Sequence, residues 1–197
     1  MTTEIILLRH GETDYNQKRV YCGHNNPGIN ENGVRQLEAR GEFFKEREKI
    51  DKIYCSDLQR CQDSANIVNR HFKAGMEIRS GLREIKFGIF EGRGYDEIKE
   101  LYPEESRKFV EEWDTFKIPQ GESLQELKER VLKEMDEIVE NNKGKTVLVS
   151  THGGVVQMLL SHYLCKNLEG YWRFSVVNGG TAKLIFSEGF VYLKYLD

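Results

Sequence analysis

The chain has 197 residues, of which 39% are hydrophobic and 31% charged, and a formal net charge of −3 at pH 7. That balance suits one soluble globular core, and it excludes the global basic field that holds nucleic acid or an anionic membrane. No apolar run approaches the roughly 20 residues of a membrane helix. Met1-Thr2-Thr3-Glu4 lacks the character of an export leader. A cytoplasmic protein with neither nucleic acid nor membrane as partner is expected. Cys22, Cys55, Cys61 and Cys165 show no CxxC spacing and read as reduced thiols, and no His/Cys cluster suggests a metal.

Residues 4–9 read as a buried strand, Ile5-Ile6-Leu7-Leu8, ending in Arg9-His10-Gly11-Glu12-Thr13. In open α/β sheets ligand crevices lie outside the carboxyl ends of strands. A polar loop at 11–32 precedes a helix over 33–49. A short strand at 53–55 enters Ser56-Asp57, a capping pair for a helix over 58–72 whose Cys61, Ala65, Val68 and Phe72 share one face. A third strand is expected at 76–79. The segment 92–121 is charged, studded with aromatics and broken by Pro103. It reads as a helical excursion over the sheet, too poor in apolar residues for a core of its own. Gly121-Glu122-Ser123 opens a helix to about Asn141, with Leu124, Leu127, Val131, Met135 and Ile138 as its buried stripe. A strand at 146–150, an apolar helix at 155–163 and a hairpin of 182–186 with 191–196 complete the chain. This alternation predicts one domain over 1–197, a three-layer α/β/α sandwich with a mostly parallel central sheet.

The strand at 146–150 runs into Thr151-His152-Gly153-Gly154, repeating the first device of apolar strand, histidine, glycine. If the two strands are neighbours, His10 and His152 share one pocket. Amides of Gly153 and Gly154 at a helix amino terminus would favour an anion there. Two further segments carry chemistry. Arg60 stands in the first turn of a helix and reads either as an anion ligand or as a solvated helix arginine. Glu84 lies in a glycine-bounded loop and reads either as a site carboxylate or as a surface partner of Arg83 or Lys86.

Together, Arg9-His10-Gly11-Glu12-Thr13, Ser56-x-x-x-Arg60, Leu82-x-Glu84 and Ser150-Thr151-His152-Gly153 resemble the histidine phosphatase superfamily, also called phosphoglycerate mutase-like. The resemblance spans essentially the whole chain. It implies that His10 is a nucleophile that becomes phosphorylated, and that Arg9 and Arg60 grip phosphate through their guanidinium forks. It gives His152 the role of donor to the transferring group, in its positive form. Asn16 matches a further phosphate contact, though it also suits a turn. Glu84 matches the proton donor, which then serves as base; that double role calls for a raised carboxylate pKa, with Leu82, Ile85 and Phe87 as desolvating neighbours. The partner implied is a small-molecule phosphate ester, with no cofactor and no metal, and a homodimer is possible.

Ile85-Lys86-Phe87-Gly88-Ile89-Phe90-Glu91-Gly92 looks like the phosphatase form of the family rather than the mutase form, with Phe90 where tryptophan is usual. Tyr21-Cys22-Gly23-His24, Tyr54-Cys55-Ser56-Asp57-Leu58 and Gly170-Tyr171-Trp172-Arg173-Phe174 are similar to the α-ribazole phosphatase group, whereas Asn25-Asn26-Pro27-Gly28 departs from it. Cys22, Gly23 and Gly153 fall on the substrate side of the pattern. The reaction implied is hydrolysis of a phosphomonoester, α-ribazole 5′-phosphate. The alternatives are a broad-specificity phosphatase or a cofactor-dependent phosphoglycerate mutase. Tyr95, Tyr102, Phe109, Trp113 and Phe116 either stack on the substrate or pack the excursion down.

Overall fold

Four consecutive apolar side chains, Ile5 to Leu8, can be buried together only in a strand covered on both faces. The computed structural model, which describes residues 1–197, places them in β1 (Thr3–Arg9), all fully buried. Successive side chains of a strand point to opposite faces. Ile5 and Leu7 accordingly enter one core, while Ile6 and Leu8 enter another on the opposite side. Burial of this kind contributes about 1.5–3 kcal/mol per side chain before conformational entropy is counted.

β1 lies inside a six-stranded sheet of order β3-β2-β4-β1-β5-β6. β2 (Lys52–Cys55), β3 (Gly75–Ile78) and β4 (Thr146–Thr151) form its parallel part with β1. β5 (Thr181–Ser187) and β6 (Phe190–Leu196) add an antiparallel edge. Their two-residue turn, Glu188-Gly189, has both φ angles positive, at 46° and 81°, which matches the twist of a tight hairpin. Two helices, α2 (Glu31–Lys45) and α3 (Gln59–Asn69), supply Leu37, Phe44, Cys61, Ala65 and Val68 to the core of Ile6 and Leu8. The other face is covered by α6 (Leu124–Asn141) and α7 (Gly153–Leu160). The result is the expected three-layer sandwich.

The α6 boundary follows its local signal. Ser123 Oγ accepts from Glu126 N at 3.2 Å while Glu126 Oε2 accepts from Ser123 N at 3.0 Å, a reciprocal cap. The stripe of Leu124, Leu127, Val131, Met135 and Ile138 is buried. Elsewhere the structure departs from expectation. A short helix, α1 (Asp14–Gln17), interrupts the loop at 11–32, and α2 starts two residues early because Asn30 caps it, its Oδ1 accepting from Gly33 N at 2.9 Å. Ser56-Asp57 does not cap α3. Leu58 occupies that position without a side-chain bond, and both polar residues are engaged elsewhere.

The excursion contains α4 (Tyr95–Leu101) and α5 (Pro103–Glu111), with Pro103 starting the second helix as its missing N–H allows. It packs over a small cluster that it shares with residues outside the segment. Phe90, Ile98 and Ile118 are buried together, flanked by Tyr21, Phe87, Tyr102, Phe109 and Phe116. The segment itself contributes Ile98 and Ile118, Phe90 comes from just before it, and the aromatic rims complete the enclosure.

Candidate active site

The carboxyl ends of β1 and β4 bring the two histidines together. Arg9 is in register with Thr151, and His10 N donates to Thr151 O at 3.0 Å. The imidazoles of His10 and His152 consequently meet edge to face, with centroids 5.3 Å apart. His10 Nδ1 lies 2.8 Å from Gly11 O. A carbonyl can only accept, so Nδ1 carries the proton and Nε2 keeps its lone pair. Burial first, then the charges of Arg60 and Arg9, push His10 well below the ordinary histidine value. It is a neutral imidazole near pH 7.

His152 is also buried. Its Nε2 lies 2.9 Å from Ser56 Oγ and 3.3 Å from Cys61 Sγ. Burial, Arg60 and His10 all push it well below the ordinary value, so the positive form expected for it does not persist in the free protein. Only the charge of a bound anion would reverse that balance. Cys61 itself is buried, and its thiol is pushed well up, which keeps it unreactive.

Both arginines face these rings from fixed positions. Arg9 donates through one terminal nitrogen to Val176 O at 2.6 Å. Arg60 is only 1% exposed, which rules out the solvated reading. Its two terminal nitrogens donate to Gly23 O and Asn25 O, each at 2.8 Å. The expected fork onto phosphate is therefore partly committed to the protein. Yet the Nε atoms of Arg9 and Arg60 are both buried without a partner. Unpaired buried donors are costly; Arg79 and Arg93 have the same unpaired Nε away from the site, and an anion beside Arg9 or Arg60 would satisfy the donor there.

The loop at 22–28 is the strut that holds Arg60. Gly23 adopts φ +51°, and a β-carbon there would sit 2.2 Å from Glu91 Oε1. Asn26 Oδ1 accepts from Gln59 N at 2.6 Å, tying the same loop to α3. Cys22 Sγ donates to Asn25 O at 3.4 Å. Cys22 and Gly23 thus shape the arginine's seat, whereas Gly153 lines the cavity beside Arg9. Asn16 accepts at Oδ1 from Thr13 N and from Asn178 Nδ2. Only its Nδ2 is left to donate to an anion.

Glu84 is not a surface partner of Arg83, which is bound twice by Asp57 at 2.7 and 2.5 Å. Its Oε1 accepts from Ile85 N at 3.0 Å and its Oε2 from Gly154 N at 3.1 Å. The Gly154 amide is therefore directed at a carboxylate of the protein rather than at a ligand. Arg130 fixes the loop beneath, donating to the carbonyls of Gly81, Arg83 and Glu84 and pairing with Glu122 at 2.8 Å. His24 Nε2 donates to Glu84 O at 3.0 Å from the other side. Next to Arg9 and Glu84 opens a cavity of about 250 Å3, walled by Tyr21, Phe87, Phe109, Trp113, Tyr171 and Trp172. Of the excursion's aromatics, Phe109 and Trp113 line it, whereas Tyr102 and Phe116 pack the small core. Sequence reasoning missed Ser56 as the partner of His152, Val176 as the anchor of Arg9, and Arg130. Each acts across more than 45 residues, so no local pattern announces it. No group of three or more His, Cys, Asp or Glu is arranged to hold a metal ion, and no helix is long and apolar enough to cross a membrane.

The family model for the histidine phosphatase superfamily, branch 1, matches residues 5–197. The chain belongs to that superfamily. Within it, the chain is 26% identical to the adenosylcobalamin/alpha-ribazole phosphatase of Salmonella typhimurium, over 97% of this chain and 94% of that protein. It is 33% identical to a metal-independent phosphoserine phosphatase of Arabidopsis thaliana, over 80% of this chain and 67% of that one. A bifunctional protein of Mycobacterium tuberculosis, Rv2228c, is 35% identical over 80% of the chain, which spans only 43% of that longer protein. Among solved structures, the alpha-ribazole phosphatase of Shigella flexneri superimposes with a TM-score of 0.90 at 26% identity, covering 98% of this chain and 95% of that one. YhfR of Bacillus stearothermophilus gives 0.89 at 26% identity, with coverage of 98% and 95%. This histidine phosphatase superfamily member thus shares its fold across nearly its full length with proteins of that name.

Proposed function

We propose that this chain is a cytoplasmic phosphomonoester hydrolase that works through a phosphohistidine at His10, and that its substrate is α-ribazole 5′-phosphate. One observation carries the hydrolase reading: a buried neutral imidazole with Nδ1 pinned to Gly11 O feels the charges of Arg60 and Arg9, whose buried Nε atoms lack partners. In the first step His10 Nε2 attacks phosphorus, the P–O ester bond breaks, and the Glu84 proton passes to the departing oxygen. Arg9, Arg60, His152 and Asn16 Nδ2 hold the equatorial oxygens. Such fixed donors are worth most where charge develops. In the second step ionised Glu84 takes a proton from water, whose oxygen attacks phosphorus while the P–N bond breaks. Inorganic phosphate leaves, His10 is again neutral and Glu84 is again an acid.

The aromatic wall supports a ring-bearing alcohol, since flat apolar faces reward stacking. Arg9 is the one cationic residue among the cavity's lining, which disfavours a mutase substrate carrying a second phosphate. Similarity to the alpha-ribazole phosphatases over nearly the whole chain supports the particular substrate. One observation favours a second reading, a broad-specificity phosphatase. The outer recess of about 420 Å3, formed by Tyr21, Tyr95, Phe109, Val110, Trp113 and Trp172, is wholly hydrophobic in its lining and suits many rings. Phosphate release from α-ribazole 5′-phosphate, nucleoside monophosphates, phosphoserine, 3-phosphoglycerate and p-nitrophenyl phosphate separates the two. A clear preference for α-ribazole 5′-phosphate is expected, and equal rates on the generic aryl esters overturn that substrate. Acid-labile, base-stable phosphate on the wild type but not on His10→Ala is the expected trapping result. Its absence overturns the mechanism.

A further inference from the structure

Gly154 occupies the first turn of α7, a position where glycine weakens a helix by about 1 kcal/mol relative to alanine. Its backbone needs no left-handed conformation, since its φ is not among the positive values. Close approach gives the reason for it. A β-carbon built on Gly154 would lie 2.5 Å from Glu84 Oε1 and 3.1 Å from the Tyr171 hydroxyl oxygen. The carboxylate and the phenol thus crowd over the same backbone point, and Gly154 N reaches Glu84 Oε2 at 3.1 Å. Tyr171 is buried and stacks on Trp113, which fixes its ring beside this point, and its hydroxyl makes no hydrogen bond to Glu84 in the free protein. The charge of Glu84 adds to burial in pushing that phenol up, so it stays protonated and able to donate.

The geometry points to Gly154 and Tyr171 as positioning residues that together form the seat of the general acid, an inference that rests on the role proposed for Glu84. The two backbone donors on the carboxylate, Ile85 N and Gly154 N, can only donate and cannot accept from its proton. A hydroxyl both donates and accepts. Tyr171 Oη can accept from Glu84 while it carries the proton and donate to it once the proton has gone to the leaving alcohol. That reversal serves a group that must be acid in one step and base in the next. Gly154 supplies an amide and leaves room for the carboxylate. With alanine there, the atom in the way is the end of a flexible side chain, so Glu84 swings aside and the helix persists.

The test compares a simple alkyl phosphate, whose alkoxide needs a proton, with p-nitrophenyl phosphate, whose phenolate leaves without one. Wild type, Glu84→Gln, Gly154→Ala and Tyr171→Phe are measured for kcat and KM on both esters, with thermal melts alongside. Glu84→Gln is expected to lose about 100-fold or more in kcat on the alkyl ester, the lower range for general acid catalysis, and little on the aryl ester. Gly154→Ala and Tyr171→Phe are expected to lose about tenfold more in kcat on the alkyl ester than on the aryl ester, with Gly154→Ala melting no lower than wild type. If Glu84→Gln separates the esters but the other two variants do not, the seat is overturned while the acid stands. If Glu84→Gln fails to separate them, the acid assignment falls, and the seat with it.

Discussion

Acidification from pH 7 to about pH 5.5 destabilises this fold through the two histidines that face each other. His10 and His152 are buried and both sit well below the ordinary value of 6.5. The unfolded chain therefore takes up protons at these positions below about pH 6.5 while the folded chain does not, so stability falls as pH falls. Each group neutral in the folded state and titrating only in the unfolded one costs about 1.4 kcal/mol per pH unit once well below 6.5. From pH 7 to about pH 5.5 the pair accounts for about 2.5 kcal/mol. Urea denaturation at the two pH values, on wild type and on the His10→Gln/His152→Gln double variant, reads it directly. Half-buried His24 and His162 are shifted the same way, but they are present in both proteins and cancel. The wild type should lose about 2.5 kcal/mol more than the double variant over that interval. Equal losses refute the claim that burial holds both imidazoles neutral. Inorganic phosphate should recover part of the wild-type loss, because a bound anion favours the protonated rings.

Arg60→Lys removes both the fork and the simultaneous hold on Gly23 O and Asn25 O. A drop of about 100- to 1,000-fold in kcat/KM on p-nitrophenyl phosphate is expected, and a loss below about tenfold contradicts the assignment. Gly23→Ala forces a side chain into φ +51° and against Glu91, which should lower stability by about 1–2 kcal/mol in urea melts and weaken catalysis through the Arg60 seat. An unchanged midpoint counts against that strut. Trp172, 65% exposed beside the cavity, should be replaceable by alanine with no change in melting temperature. The variant should lose about fivefold in kcat/KM on ring-bearing esters alone, as one lost aromatic contact implies. An equal loss on a small alkyl ester contradicts the wall.

The parts of this molecule that sequence disclosed are those whose signal is local. β1 announces itself by four apolar residues in a row, α6 by Ser123 and Glu126 with a periodic stripe, and the two histidines by sharing one strand-end pattern. A shared pocket required β1 and β4 to be neighbours, and the structure pairs them in register. Burial of Arg60 was not legible, because an arginine in a helix's first turn looks the same whether it faces solvent or a carbonyl cage. Ser56 reads as a helix cap by local rules, but tertiary packing gives it to His152, 96 residues away. The neutral state of His152 has the same origin, since desolvation and the charge of Arg60 depend on what folds over the ring. The small cluster under the 92–121 segment was not legible, because Ile98 and Ile118 meet Phe90 only once the segment folds back over it.

That small cluster of Phe90, Ile98 and Ile118 has a consequence for how such proteins diversify. The residues proposed to act on phosphorus come from the ends of β1 and β4, the start of α3 and the loop of Glu84, whereas two aromatics of the cavity wall, Phe109 and Trp113, come from the segment that packs over this cluster. On the proposed reading, cleavage and part of recognition rest on different stretches of chain, so replacing Phe109 or Trp113 changes the alcohol that fits while the strand ends stay as they are.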